Sequence, residues 1–329
     1  MFRLILILFF LLNFANSSFS SDANKRDYNL LNNKLTIYIN TKDSTKEIFK
    51  VIENRLNTIQ MVLDTYKSDS FVSRFNNMEK FSEISLPDLF VDSFKILSNY
   101  NKITKGKFDP TTFSVLSIST KLEKVNFLLN SDLYNKCISL TNIEVKTSNV
   151  FSKTQTCTKI SFDSIIEGVV TEDIRYFLEK NNISSYFISF GSTFHKKNLD
   201  KVSIKGKGEG YLDDSNVKLL IAAGVDIKKI NSFSFLDNFK KSKIKTYNID
   251  SKKNMVSFQE KMFVMVASES PTNNNIMANI FNLSDFKNKK FDNLYEAEIP
   301  ILIIYEDRKL LKVLFSKNFQ KYLKRNDAN

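Results

Sequence analysis

A helix that has to stop is the feature that most constrains this 329-residue chain. From Leu89 to Lys105 apolar residues recur at Phe90, Phe94, Leu97 and Ile103, a spacing that gives one helical face for a core. Gly106 stands where a helix C-terminus needs left-handed backbone, and Lys102 and Lys105 suit the negative end of the helix dipole. The chain then turns at Asp109-Pro110 and offers an acid and two hydroxyls, Thr111 and Thr112. A rigid helix stop fixes polar groups at the rim of whatever the helix packs on, which is how pocket walls are built. Taken alone, Asp-Pro-Thr is first of all a common turn.

The rest of the pattern mixes both periods. Leu35 to Asn40 alternates as a strand, and Lys46 to Tyr66 carries Ile48, Ile52, Leu56, Ile59 and Leu63 on one helical face. Lys67 to Asn77 is a dense polar stretch, and Pro87 suits the first turn of the next helix. Strands are expected at Cys137–Val145 and Lys159–Asp163 around a hairpin-like middle. A helix follows from Glu167-Gly168 to Asn181, with Val170, Ile174, Phe177 and Leu178 inward. The strand Tyr186–Phe190 stops at Gly191-Ser192-Thr193, a place for close backbone approach. Val217–Ala222 reads as a strand, Asn231–Lys243 as a polar loop, Met262–Val266 as a strand and Pro271–Asn282 as a helix. Ile301–Tyr305 and Leu310–Phe315 form a closing hairpin. Without strict alternation the fold class is α+β, mixed sheets with packed helices, rather than a doubly wound sheet.

Charge and termini narrow the setting. The net charge is +12, but the lysines are scattered among Asn and Asp rather than clustered with aromatics, which argues against nucleic acid. Arg3, the apolar run Leu4–Leu12 and Ala15-Asn16-Ser17 read as a signal peptide over residues 1–17. No Cys lies near that cleavage point for a lipid anchor, so the expectation is export to a periplasm. Residues 18–33 read as disordered or linker and 34–329 as one domain. Cys137 and Cys157 allow either a disulfide, suited to an oxidising compartment, or two buried thiols.

Several chemistries are excluded. The one histidine, His195, rules out a His-rich zinc site and reads as a surface residue beside two lysines. Nucleophile-elbow, P-loop and dinucleotide-turn motifs are missing, and Gly206–Gly210 reads as a flexible hairpin.

The polar clusters at element ends, taken in order, resemble the ApbE family of FAD:protein FMN transferases. Gly106-Lys107-Phe108-Asp109-Pro110-Thr111 matches its Gly-x-Phe-Asp-Pro-Thr, and Asp69-Ser70-Phe71-Val72-Ser73-Arg74-Phe75-Asn76 is similar to its Asp-Ser-Glu-Ile-Ser-Arg-Leu-Asn. The resemblance runs from about Lys34 to Ser316 and implies a T-fold-related architecture. It also implies FAD as substrate, Mg²⁺ as cofactor, and a partner flavoprotein whose Thr or Ser hydroxyl receives FMN. Ser70, Asp109, Thr111, Glu167 and Gly191 would then bind the flavin nucleotide. Asn275 and Asn279 would sit at the metal positions, with Tyr247 and Asp250 where the acceptor hydroxyl is handled.

Departures gather at the reaction centre. The family's Lys-Gly is Glu167-Gly168, so a carboxylate would face the pyrophosphate and repel it. Its His is Tyr247, whose ordinary pKa of about 10 makes a poor base. Its Asp and Thr metal positions are Asn275 and Asn279, which coordinate without charge, and its Gly-Gly-Asp is Gly191-Ser192-Thr193. Weakened FMN transfer is expected. The alternative is a non-catalytic protein that binds flavin or a partner.

Overall fold

Met262–Val266 is apolar at every position, and all five residues are buried, because the sheet they belong to is covered on both faces. The computed structural model describes residues 24–118, 132–199, 214–237, 248–250, 255–257, 262–282 and 298–324. In chain order the strands are β1 (Lys25–Leu30), β2 (Asn33–Ile39), β3 (Glu83–Ser85), β4 (Ile143–Val145), β5 (Val150–Lys153), β6 (Tyr186–Phe190), β7 (Thr193–Lys197), β8 (Ser232–Asp237), β9 (Asn248–Asp250), β10 (Met255–Ser257), β11 (Met262–Val266), β12 (Ile301–Asp307) and β13 (Leu310–Phe315). The helices are α1 (Lys46–Leu63), α2 (Phe71–Asn77), α3 (Asp88–Ile103), α4 (Phe113–Leu116), α5 (Asp132–Cys137), α6 (Ile166–Lys180), α7 (Asp214–Ala222) and α8 (Pro271–Asn282).

Among the described residues the main sheet has eight strands in the order β1-β2-β6-β7-β8-β11-β12-β13, every pair antiparallel. Period-two alternation sends neighbouring side chains to opposite cores. Phe263 and Met265 join Phe194, Phe233 and Phe235 beneath α7, with Phe194 and Phe233 stacked at 4.8 Å. Leu35, Ile37, Ile188 and Phe190 face the other way, into a core filled by α1, α3 and α6. Met262, Val264 and Val266 lie beside Ala278 of α8. A separate three-stranded sheet, β3-β5-β4, packs on α3 through Phe151, whose ring meets those of Phe90 and Phe94 at 5.6 and 5.2 Å.

The helix stop is built as the sequence requires. α3 ends at Ile103, and Lys105 and Gly106 take φ of 54° and 78°. The Gly106 N–H donates to Asn101 O at 2.7 Å, and the Asn101 amide donates to Phe108 O at 2.7 Å. Phe90, Phe94 and Leu97 are buried, but Ile103 is exposed, because the last turn runs past the core.

Other expectations change. Residues 25–30, read as linker, pair with β2 along their whole length. Cys137–Val145 is the end of a helix, a 3-10 turn over Leu140–Asn142 and only then a short strand. Val217–Ala222 lies in helix α7, with Val217 and Leu220 buried; a short apolar run does not separate strand from helix. The supposed loop from Asn231 contains β8, since Ser232 and Ser234 are small enough to be buried beside α8. Cys137 and Cys157 form a disulfide with 5.4 Å between Cα atoms.

Lys159–Asp163 is irregular, and β5 lies where the hairpin middle was expected. Ile160 and Phe162 do point inward, which is why the stretch reads as a strand. Side chains take the place of a neighbouring strand: Asn76 donates to Ile160 O and accepts its N–H, and Ser114 does the same for Lys159.

Candidate functional site

The turn after α3 forms one rim. Asp109 Oδ1 accepts from the Thr111 N–H at 2.9 Å and from the Thr111 hydroxyl at 2.5 Å. Thr112 Oγ1 donates back to Asp109 O. Both Asp109 and Thr111 are buried. Burial pushes the Asp109 carboxyl above its ordinary range, opposed by the Thr111 hydroxyl and by the Thr111 and Leu140 N–H groups. This corner is rigid, and its polar atoms mostly satisfy one another.

Phe113, just after it, meets Tyr66 edge-on at 6.1 Å. The Tyr66 phenol donates to Asp163 Oδ2 at 3.0 Å, and its ring is mostly exposed. Thr65 reaches Asp163 Oδ1 at 3.5 Å and Ser161 Oγ at 3.3 Å. Ser70 is the N-cap of α2: its hydroxyl accepts from Ser73 N–H at 3.1 Å and donates to Asp64 O at 2.6 Å. Ser70 and Ser73 therefore tie the start of α2 back to the Asp64 and Thr65 carbonyls.

Glu167 is not aimed at open space. Its Oε2 accepts the Ser192 N–H at 2.8 Å and the Ser192 hydroxyl at 2.6 Å, and Oε1 accepts from the Asn33 amide at 3.1 Å. Desolvation raises its pKa, with the Ser192 donors opposing. Gly191 takes φ of +52°, and a Cβ there would lie 1.9 Å from Glu167 Oε1. The expected close approach is thus a side chain on a backbone. The expected repulsion does not follow directly, because protein donors already hold the carboxylate.

Asn275 and Asn279 sit one turn apart on α8 and face the start of α6. Asn275 Oδ1 accepts the Gly168 N–H at 3.3 Å. Asn279 Nδ2 donates to Ser164 O at 3.1 Å and to Asn275 O at 3.0 Å. Gly168 makes this possible, since a Cβ there would stand 2.5 Å from Thr272 Cα. Glu172 completes the junction by accepting from Thr272 N–H and the Ser270 hydroxyl.

The fold thus brings Glu167 and Gly191 into contact, sets Asn275 and Asn279 against the α6 entry, and joins Asp109 to Thr111 just before Phe113, while Ser70 is bonded within its own loop to Asp64 O and Ser73 N–H. Asp250 pairs through its backbone with Met255, and its side chain, like Tyr247, Gly206–Gly210 and residues 1–17, lies outside the described residues. His195 is buried rather than on the surface. It faces α6 from β7, its ring stacked on Tyr186 at 5.8 Å. Tyr66 and Asn33 carry site geometry that motif reading passes over. Tyr66 stands at the end of the expected helix beside the polar stretch from Lys67, whereas nothing local marks Asn33.

The family model for the ApbE family matches residues 32–226, more than half of the chain. The chain belongs to the ApbE family. Among solved structures, the flavin transferase ApbE from Vibrio cholerae is 15% identical, with 91% of this chain and 98% of that one covered at a TM-score of 0.69. The flavinyl transferase ApbE of Pseudomonas stutzeri, apo form, is 14% identical over 91% and 97% at 0.69. The apbe protein from Thermotoga maritima is 14% identical over 92% and 99%, again at 0.69. These likenesses show the fold, with its mixed helices and antiparallel sheets. No curated protein matches the chain.

ApbE membership raises the matter of Mg²⁺, and the described residues do not fit it. Mg²⁺ needs converging oxygens, carboxylate among them. Here two carbonyls converge on an amide N–H₂ group, and the Asn275 side-chain oxygen is taken by a backbone N–H. Among the described residues there is no group of three or more His, Cys, Asp or Glu able to hold a metal.

Proposed function

We propose that this protein binds FAD in the cleft between the Asp109–Thr111 corner and the Glu167–Gly191 contact, and passes FMN from it, with impaired turnover, to a Thr or Ser hydroxyl of a partner flavoprotein. The observation that carries this reading is the continuous wall from Asp109 and Thr111 through Phe113 and Tyr66 to Asp163, fixed by its own hydrogen bonds. Tyr66 offers an exposed aromatic face held at its hydroxyl, suited to a flat heterocycle. Asp109, Thr111 and Ser70 shape that wall more than they donate to it.

In the transfer, the acceptor hydroxyl oxygen attacks the FMN phosphorus, the pyrophosphate bond breaks, and AMP leaves with the bonding electrons. The reaction needs positive charge on the phosphates and a group to take the hydroxyl proton. Glu167 supplies no cation, and Tyr247 is a weak base at neutral pH; Asp250 is the remaining acid in that segment. Impairment follows from those substitutions. The Cys137–Cys157 disulfide supports a location outside the cytoplasm, in keeping with the Arg3-to-Ser17 leader. No helix among the described residues is long and apolar enough to cross a membrane.

A second reading, flavin or partner binding without cleavage, is favoured by one observation: Glu167, Asn275 and Asn279 are all engaged with protein. Incubation with FAD, Mg²⁺ and a peptide bearing an acceptor Thr separates the two by mass spectrometry. An FMN adduct with free AMP supports transfer. Intact FAD retained on the protein, with neither product, leaves the binding reading. No flavin bound at all removes both flavin readings.

A further inference from the structure

Side-chain amides have a direction, and partners fix it. Ser164 O and Asn275 O can only accept, so the Asn279 end that faces both must be its N–H₂ group. The Gly168 N–H can only donate, so Asn275 presents Oδ1 to it. A small positive dipole thus stands between two carbonyl oxygens from different elements, the loop entering α6 and the body of α8. That is the electrostatic arrangement a cation would otherwise satisfy. The junction is also tight, because Gly168 lies against the Pro271-Thr272 backbone with no room for a methyl group, so the carbonyls cannot part easily.

We propose that the Asn279 amide is a built-in replacement for a divalent cation at the α6–α8 junction, so that this cleft takes a flavin nucleotide without a metal. The metal half of this statement concerns the chain alone; the flavin half rests on the ApbE reading above. Replacing the amide by a carboxylate should reverse the logic. An Asn279→Asp side chain would set an anionic oxygen against two carbonyl oxygens, an arrangement stable only with a cation among them.

Mn²⁺ titration followed by electron paramagnetic resonance, without flavin, tests the metal half. The wild-type protein should leave Mn²⁺ free up to about 1 mM, a range covering weak protein sites for hard cations. Asn279→Asp should bind Mn²⁺, and its lowered Tm should recover in Mg²⁺. Failure of Asn279→Asp to fold without metal, with folding restored by Mg²⁺, supports the proposal equally. Stoichiometric Mn²⁺ binding by the wild type, lost in Asn279→Ala, would overturn it. So would an Asn279→Asp protein that gains no Mn²⁺ affinity and whose Tm ignores Mg²⁺. FAD titration of the wild type tests the flavin half: affinity in Mg²⁺ and in EDTA should agree within about twofold, and a tightening by Mg²⁺ of about tenfold or more refutes it. If FAD binds in neither, the flavin reading fails while the Mn²⁺ result still decides the metal question.

Discussion

Acid should weaken this fold through one identifiable group. His195 is the chain's single histidine, and it is buried between β7 and α6, its Nδ1 without a hydrogen-bond partner among the described residues. Its Nε2 lies 3.4 Å from the Tyr186 hydroxyl. The charged groups acting on it are Arg175 and Glu179 of α6 and Lys197 of its own strand, and the two cations outweigh the acid. Burial first, and then Arg175, lower its pKa from 6.5 to about 4. The neutral ring is therefore favoured in the folded state. Above 6.5 neither state carries the proton, and the full stability is present. Between 6.5 and about 4 the unfolded chain takes up a proton that the folded one refuses, so stability falls, and below about 4 this loss ends. A shift of that size corresponds to about 3 kcal/mol. Carboxylates titrate in the same range, so the useful quantity is a difference. Urea unfolding of wild type and His195→Phe, which keeps a ring on Tyr186, should give a stability gap that moves against the wild type by about 3 kcal/mol across that window. A constant gap, or an NMR titration of the imidazole with an ordinary midpoint, would refute the buried neutral assignment.

Three further groups give measurable outcomes. Gly168→Ala drives a methyl group into the Thr272 backbone at 2.5 Å, so thermal unfolding should show a loss of about 3 kcal/mol, with weaker FAD binding because α8 shifts. Reducing the Cys137–Cys157 bridge, which closes a separation of 20 residues, should cost about 3 kcal/mol by loop entropy, read as a lower urea midpoint in dithiothreitol. Lys153 is fully buried and its ammonium donates to Asn76 O, Thr156 O and Thr158 O; Lys153→Met should cost about 3 kcal/mol by orphaning those carbonyls. Because burial lowers the Lys153 pKa to about 8, stability contributed by this group should rise between about pH 8 and 10.5 in wild type and not in Lys153→Met.

What the sequence made legible was whatever a local period or stop could encode. α1, α3, α6, α8 and the closing hairpin stand where their apolar spacing puts them. The helix stop at Gly106 and the tight approach at Gly191 were readable because glycine there answers a backbone need. Strand against helix failed at Val217–Ala222, where one turn of apolar residues suits either period and burial under the sheet decides. It failed again at Ser232–Asp237, where small hydroxyl residues inside a sheet look like a loop until α8 covers them. His195 looked exposed because its neighbours in sequence are lysines, but a strand sends adjacent residues to opposite sides. The Glu167 contact with Ser192 and Asn33 joins positions far apart along the chain, and no local pattern carries that.

The stretch from Thr158 to Asp163 has a consequence of another kind. In a sheet, backbone pairing is indifferent to side-chain identity, so a strand can drift in sequence while keeping its partners. Here the pairing is made by the side chains of Asn76, Ser114 and Lys153, and only those chemical groups at those reaches will do. The segment therefore has a narrow tolerance for change at three distant positions as well as at its own buried Ile160 and Phe162. A saturation scan read for abundance should find Asn76, Ser114 and Lys153 restricted, and exposed Asp163 free to vary except where Tyr66 needs it.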